Sequence, residues 1–213
     1  MDQIKIKYKK SFADKKFILS IIWSFIFLSV AIIINFYAGT YATERASLPV
    51  TDLILSNIRT FDVDGFFVYG PVFLIIFGTL ICLYHPKKIP FVVKNLALFI
   101  IIRSIFISLT HLGPFPTQNI IASSGNILSK FTFGGDLFFS GHTGIPFLLA
   151  LIFWPQKTLR YLFLADSVLM GTIVLLGHYH YSIDVLAAFF ITYTIYHMAL
   201  YLFKKDKEMF DNL

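Results

Sequence analysis

Residues 17–38 read FILSIIWSFIFLSVAIIINFYA, an apolar run without a single charge. As a helix rising about 1.5 Å per residue it reaches about 33 Å, enough to cross a hydrocarbon core of about 30 Å. It exceeds a signal-peptide core of about 7–15 residues, so it reads as an uncleaved membrane span. Five further apolar segments follow. They are Phe66 to His85, Phe91 to Leu112 with Lys94 and Arg103, Leu137 to Trp154, Leu159 to Gly177 with Asp166, and Ile183 to Phe203. The expected fold is therefore all-α: a polytopic integral membrane protein of about six transmembrane helices. Residues 17–203 would form one membrane domain between a basic tail, 1–16, and a short tail, 204–213.

Composition agrees with this reading. The 213 residues are 57% hydrophobic, 18% aromatic and 14% charged, against about a quarter charged in a soluble domain. That excludes a water-soluble globule. A disordered chain needs low hydrophobicity, and a nucleic-acid module needs basic residues spread over a solvated face, so both of those classes go as well. The one cysteine, Cys82, lies inside an apolar run and reads as a small core hydrophobe.

The basic residues orient the spans, because Lys and Arg collect in short cytoplasmic loops. One side receives Lys5, Lys7, Lys9, Lys10, Lys15, Lys16, Lys87, Lys88, Lys157, Arg160, Lys204, Lys205 and Lys207. The other receives only Arg45, Arg59 and Lys130. Both termini are thus expected in the cytoplasm, and the net charge of +6 is a topology signal with an attraction to anionic lipid rather than a polyanion-binding patch.

Ionisable groups near membrane spans are costly and are functional candidates by default. Two clusters stand out. One is Gly134-Gly135-Asp136-Leu137-Phe138-Phe139-Ser140-Gly141-His142-Thr143, at the start of the fourth span. The other is Gly177-His178-Tyr179-His180-Tyr181-Ser182-Ile183-Asp184, between the fifth and sixth. The charge count places both at the non-cytoplasmic face. If the sixth span begins near Tyr181, His180 and Asp184 are one turn apart, so the carboxylate can hold the imidazole and make His180 a nucleophile or general base. In the first cluster a helix starts behind a glycine-rich loop, where free N–H groups bind phosphate, and Gly141 permits close approach. His142 is then placed to give a proton to a leaving oxygen. His85, His111 and His197, each alone on an apolar stretch, read as packed or interfacial residues. Lys94 and Asp166 read as an ion pair between neighbouring helices, Arg103 as serving phosphate or Asp166, and Asp136 as a loop cap.

These segments resemble the type 2 phosphatidic acid phosphatase superfamily, and within it the sphingomyelin synthase branch. That branch pairs Gly-Asp-x-x-x-Ser-Gly-His-Thr, here Gly135 to Thr143, with His-Tyr-Thr/Ser-x-Asp-Val, here His180 to Val185. Arg103-Ser104-Ile105 and Thr110-His111-Leu112-Gly113-Pro114-Phe115-Pro116 form a looser third element, and Leu48-Pro49-Val50-Thr51-Asp52 a faint echo of a first-loop motif. The resemblance covers roughly residues 45 to 200. The chain departs from the broad superfamily at Val174, where an Arg is usual, and at Ser104, which follows Arg103 in place of Pro. The synthase branch shares these departures.

The resemblance implies a six-helix bundle of the superfamily's type and a ping-pong phosphotransfer. His180, oriented by Asp184, would attack the phosphorus of a membrane phospholipid carrying phosphocholine or phosphoethanolamine, while His142 protonates the departing diacylglycerol oxygen. A lipid alcohol such as ceramide would then attack the phosphohistidine. Ser140, Gly141, Asp136 and Arg103 would bind the phosphate, and no metal or other cofactor is expected. A phosphatase with water as acceptor would use the same three residues, and a non-catalytic channel or scaffold would use none of them.

Overall fold

The computed structural model of the chain describes residues 2–118 and 135–212; Lys130 and Gly134 lie outside the described residues. Among the described residues eight α-helices follow one another: α1 (Asp2–Phe12), α2 (Lys15–Glu44), α3 (Asp64–Tyr84), α4 (Ile89–Leu109), α5 (Gly141–Ile152), α6 (Lys157–Leu176), α7 (Ser182–Leu202) and α8 (Lys204–Asp211). Among the described residues there is no strand. Helices α2, α3, α4, α6 and α7 are long and apolar enough to cross a membrane. The protein is an all-helical, multi-pass membrane protein.

Packing between spans cannot rely on the hydrophobic effect, because lipid is as apolar as leucine; close contact through small residues takes its place. Along α2 the buried positions Phe17, Ser24, Ala31 and Ala38 recur every seven residues, followed by Gly39 and Ala42. This stripe lies on α4, while Trp23, Ile33 and Tyr37 on other faces of α2 stay exposed. Gly144 lets α5 approach α4 and α7: a Cβ there would come within 2.7 Å of the Phe99 ring and 2.9 Å of the Thr192 hydroxyl.

Helix α5 corrects the expected fourth span. Its 12 residues give about 18 Å, well short of a bilayer crossing. It begins at Gly141, not Leu137, because Ser140 has extended backbone and its side chain accepts the Thr143 N–H, a helix N-cap. Residues 135–140 precede it as irregular chain. Eight of the twelve helical residues are buried, so α5 is the inner post of the bundle, between α6 and α7.

The expected tails are also helical. The Tyr8 hydroxyl of α1 donates to the Leu83 carbonyl at 2.9 Å, and Lys7 Nζ stands 4.3 Å from the centre of the Tyr84 ring. At the chain's other end α8 folds back under the bundle. Its Phe210 packs on Phe91 and Phe153, and Lys88 Nζ lies over the rings of Phe153 and Phe210 at 5.1 and 4.8 Å. Lys94 does not meet Asp166. It pairs with Asp206 of α8 at 2.7 Å and donates to the Ser20 hydroxyl at 3.1 Å, and Ser20 in turn donates to Asp206. Asp166, half-buried on α6, has no hydrogen-bond or ion-pair partner among the described residues.

The side chains of Lys94 and Asp206 are 14% and 8% exposed. Breaking so buried a pair leaves an uncompensated charge, worth about 3–5 kcal/mol. Lys94→Met is therefore expected to lower the unfolding free energy of the detergent-solubilised protein by about that much, and Lys94→Met with Asp206→Leu to recover most of it. Titration with denaturant checks both.

Candidate active site

At the end of the bundle opposite α1 and α8, the loop 45–63, the segment 110–118 and the turn 177–181 come together. The Ser47 N–H donates to the His111 carbonyl at 2.9 Å and the Phe61 N–H to the Leu176 carbonyl at 2.9 Å. Both histidine clusters open at this end.

The turn after α6 is sharp. Its His178 sits at φ 57°, in the left-handed region that favours glycine. This reverses the chain so that the Tyr179 and His180 N–H groups both point back to the Val174 carbonyl, at 2.9 and 3.4 Å. His178 turns away from His180: its Nδ1 lies 2.6 Å from the Thr117 hydroxyl and 3.3 Å from that of Thr60, pinning two loops. Helix α7 then starts behind Tyr181. Asp184, in its first turn, has no exposed surface, and its Oδ2 accepts the Tyr181 N–H at 2.9 Å and lies 3.4 Å from His180 Nδ1. With Nδ1 engaged, the nitrogen His180 presents outward is Nε2.

Asp184 also reaches the other cluster. Its main-chain carbonyl accepts the Ser140 N–H at 3.1 Å, which sets the start of α5 beside the start of α7. His142 faces His180 with ring centroids 6.3 Å apart. Its ring is stacked on Phe67 of α3 at 4.1 Å, and Phe67 leans on Tyr179 at 3.9 Å. Below, the Ser167 hydroxyl of α6 donates to the Thr143 carbonyl at 2.7 Å. The N–H groups of Gly141 and His142 meet no acceptor among the described residues, so the positive end of α5, which carries His142, is left open.

Arg103 is placed differently from the expectation. It is buried on α4 and committed to the loop before α5: Nε donates to the Phe139 carbonyl at 2.8 Å, one Nη pairs with the Asp136 carboxylate at 3.1 Å, and the other donates to the Asp136 carbonyl. It thus acts neither on Asp166 nor through a free face, and Asp136 is its ion-pair partner rather than a cap. A Cβ added at Gly141 would sit 3.6 Å from Arg103 Nε, an ordinary contact. The glycine is not demanded by crowding inside the protein. In the loop before α5, close packing requires glycine at Gly135, whose Cβ would come within 2.7 Å of the Thr43 backbone of α2.

Asp52 is the residue whose role sequence reasoning missed. It is 7% exposed, and its carboxylate takes four donors: the N–H groups of Ile54 and Leu55 at 2.8 and 3.0 Å, and the N–H and hydroxyl of Ser182, both at 2.8 Å. It thereby satisfies an open N–H at the start of α7 from a loop 130 residues away. Burial opposes its charge, but the donors from Leu55, Ser182 and Ile54 outweigh burial and hold the carboxyl below its usual range. Nearby, the Tyr181 hydroxyl donates to the Gly113 carbonyl at 2.8 Å and accepts the Val50 N–H at 3.2 Å. The Leu48–Asp52 stretch carried the one signal available, and nothing in it names Ser182 as partner.

Residues 134–201 match the family model described as PAP2 superfamily C-terminal. The matched stretch takes in both histidine clusters and is similar to that superfamily; Asp52, Phe67 and Arg103 lie outside it. No curated protein and no solved structure matches the chain.

A carboxyl held below its unfolded value adds stability above the ordinary carboxylate range and loses it as pH falls through the folded value. The wild-type protein is therefore expected to gain hydrogen exchange at Ser182 and in the loop 46–63 on acidification below about pH 4. Asp52→Asn is expected to show that exchange already at neutral pH. Equal exchange in the two proteins at pH 7 would contradict the clamp.

Proposed function

We propose that the protein is a membrane lipid phosphotransferase of the sphingomyelin synthase type, with His180, Asp184 and His142 as its catalytic residues. The observation that supports this best is the facing pair of imidazoles, one held from behind by a fully buried carboxylate, beside an open helix N-terminus. Similarity of residues 134–201 to the PAP2 superfamily supports phosphoryl chemistry on a lipid.

In this mechanism a phospholipid donor places its phosphorus between the two rings. His180 Nε2 attacks, forming an N–P bond as the bond to the diacylglycerol oxygen breaks, and His142 delivers its proton to that oxygen. Positive charge developing on His180 is balanced by Asp184 behind it. Extra negative charge on the phosphoryl oxygens is met by the Gly141 and His142 N–H groups and the α5 dipole. Arg103 contributes by fixing residues 136–139, which keeps those N–H groups aimed at the phosphate, with Ser140 capping the same turn. In the second half, His142, now neutral, takes the proton from the primary hydroxyl of a lipid alcohol such as ceramide. The alcohol oxygen attacks phosphorus and the N–P bond breaks, returning His180. The basic-residue distribution supports a site on the non-cytoplasmic face. A lipid phosphatase that hydrolyses a lipid phosphate with the same triad, water replacing the alcohol, is the second reading.

Purified protein in mixed micelles with headgroup-labelled phosphatidylcholine or phosphatidylethanolamine tests this, with and without ceramide. Label is expected in a new lipid only when ceramide is present; label found only in water-soluble products would replace transfer with hydrolysis. His180→Ala is expected to abolish formation of the phosphoenzyme, and His142→Ala and Asp184→Asn to slow turnover by about 10²–10⁴. Full activity in any of the three would refute the assigned roles.

A further inference from the structure

Between the end of α3 and the start of α6 the bundle leaves a groove of about 360 Å³, lined by Leu80, Ile81, Tyr84, His85, Gln156 and Leu159. The two helices close on each other at Phe77 and Phe163, with ring centroids 5.8 Å apart. The groove lies beyond that contact, at the end of the bundle that carries α1 and α8. It is remote from the histidines: Leu80 lies about 20 Å along α3 from Phe67, the ring on which His142 is stacked.

The lining changes character along the groove. Leu80, Ile81 and Leu159 form an apolar floor on two helices long and apolar enough to cross a membrane, and Leu80 is 59% exposed, so the floor opens outward. His85, Gln156 and Tyr84, at the helix ends, form a polar rim. His85 Nδ1 is buried and meets no hydrogen-bond partner among the described residues. A polar atom so placed is costly until something satisfies it. The charged groups that bear on this ring are two cations, Lys7 and Lys88. Neither has an ion-pair partner among the described residues. Lys7 Nζ stands over the Tyr84 ring, and the exposed Lys157 opens α6 directly after Gln156. No carboxylate lines the groove. Positive charge at the rim, an unsatisfied imidazole nitrogen and an outward-facing apolar floor are complementary to a ligand with an anionic head and a hydrocarbon tail.

We propose that this groove binds an anionic phospholipid from the surrounding leaflet, its phosphate among Lys7, His85 and Lys157 and one acyl chain along Leu80, Ile81 and Leu159. Basic pockets between spans select anionic headgroups in this way. A free anion would use the rim alone and leave the apolar floor unfilled. Lys88 lies deeper, over the rings of Phe153 and Phe210, and adds to the field without touching the phosphate. The phosphate meets α1 through Lys7, α3 through His85 and α6 through Lys157, so the lipid fastens the N-terminal helix to the bundle. It is a structural ligand out of reach of the two histidines, and its binding does not depend on the phosphotransfer reading.

The test uses the full-length protein, stripped of lipid in detergent and titrated with phosphatidylglycerol or phosphatidylcholine of identical acyl chains. Native mass spectrometry reads binding and the thermal midpoint reads stabilisation. The first phosphatidylglycerol is expected to bind about tenfold or more tighter than phosphatidylcholine and to raise the midpoint. Lys7→Gln is expected to reduce that preference about fivefold, and His85→Phe to weaken phosphatidylglycerol binding. Leu80→Trp, which fills an exposed part of the floor and changes no charge, is expected to weaken both lipids. Lys205→Gln removes an equal charge from an exposed position on α8 and is expected to change neither readout. Equal affinity of the wild type for the two lipids would overturn the proposal. A loss in Lys205→Gln as large as in Lys7→Gln would overturn it too, by making the preference one of diffuse surface charge. So would a midpoint rise of the same size with inorganic phosphate, which would make the ligand a free anion.

Discussion

One buried carboxylate joins the two halves of the site. Asp184 grips the His180 ring and the Tyr181 N–H with its side chain, and the Ser140 N–H with its main-chain carbonyl. The first two contacts define how α7 begins, and the third defines where α5 begins. Because α5 is short and almost wholly buried, its start can be set beside α7 only if residues 135–140 descend as irregular chain into the bundle. That requirement accounts for the Arg103 clamp, whose five-donor fork suits a loop with two carbonyls and a carboxylate to hold.

The labour divides along the chain. The stretch similar to the PAP2 superfamily supplies the groups that would react. The part before it supplies what holds them: Arg103 behind the α5 loop, Asp52 at the start of α7, and Phe67 against the His142 ring. Each of these reaches the site from a different element, so the geometry is fixed by three separate supports and not by the local fold of either histidine segment. The small-residue stripe of α2 on α4 keeps the first of those supports in register.

Much of this could be read from the sequence, and what could not has a physical reason. The apolar runs located all six segments, because hydropathy and length are sufficient for a helix that must satisfy its own backbone in lipid. The His180–Asp184 contact followed from helical spacing. The start of α5 did not, since Leu137, Phe138 and Phe139 continue the apolar run and hydropathy does not distinguish buried irregular chain from helix. Lys94 was assigned the wrong partner because hydropathy gives depth along a span but not azimuth around it. Its true partner, Asp206, lies in a segment whose composition reads as solvated. Asp52 was hidden for another reason: three of its four donors are main-chain N–H groups, which impose no residue type, and the fourth, the Ser182 hydroxyl, lies 130 residues away.

The Lys94–Asp206 bond has a bearing on how the molecule is made. The acid follows the base by 112 residues, so during synthesis α4 enters the bilayer with its lysine uncompensated and three more apolar segments must emerge before the charge is neutralised. Until α8 docks, the ends of α2 and α4 near Ser20 and Lys94 are held by side-chain packing without the Ser20–Lys94–Asp206 network. The network therefore closes only when α8 docks, and a chain truncated before Asp206 leaves Lys94 without its carboxylate.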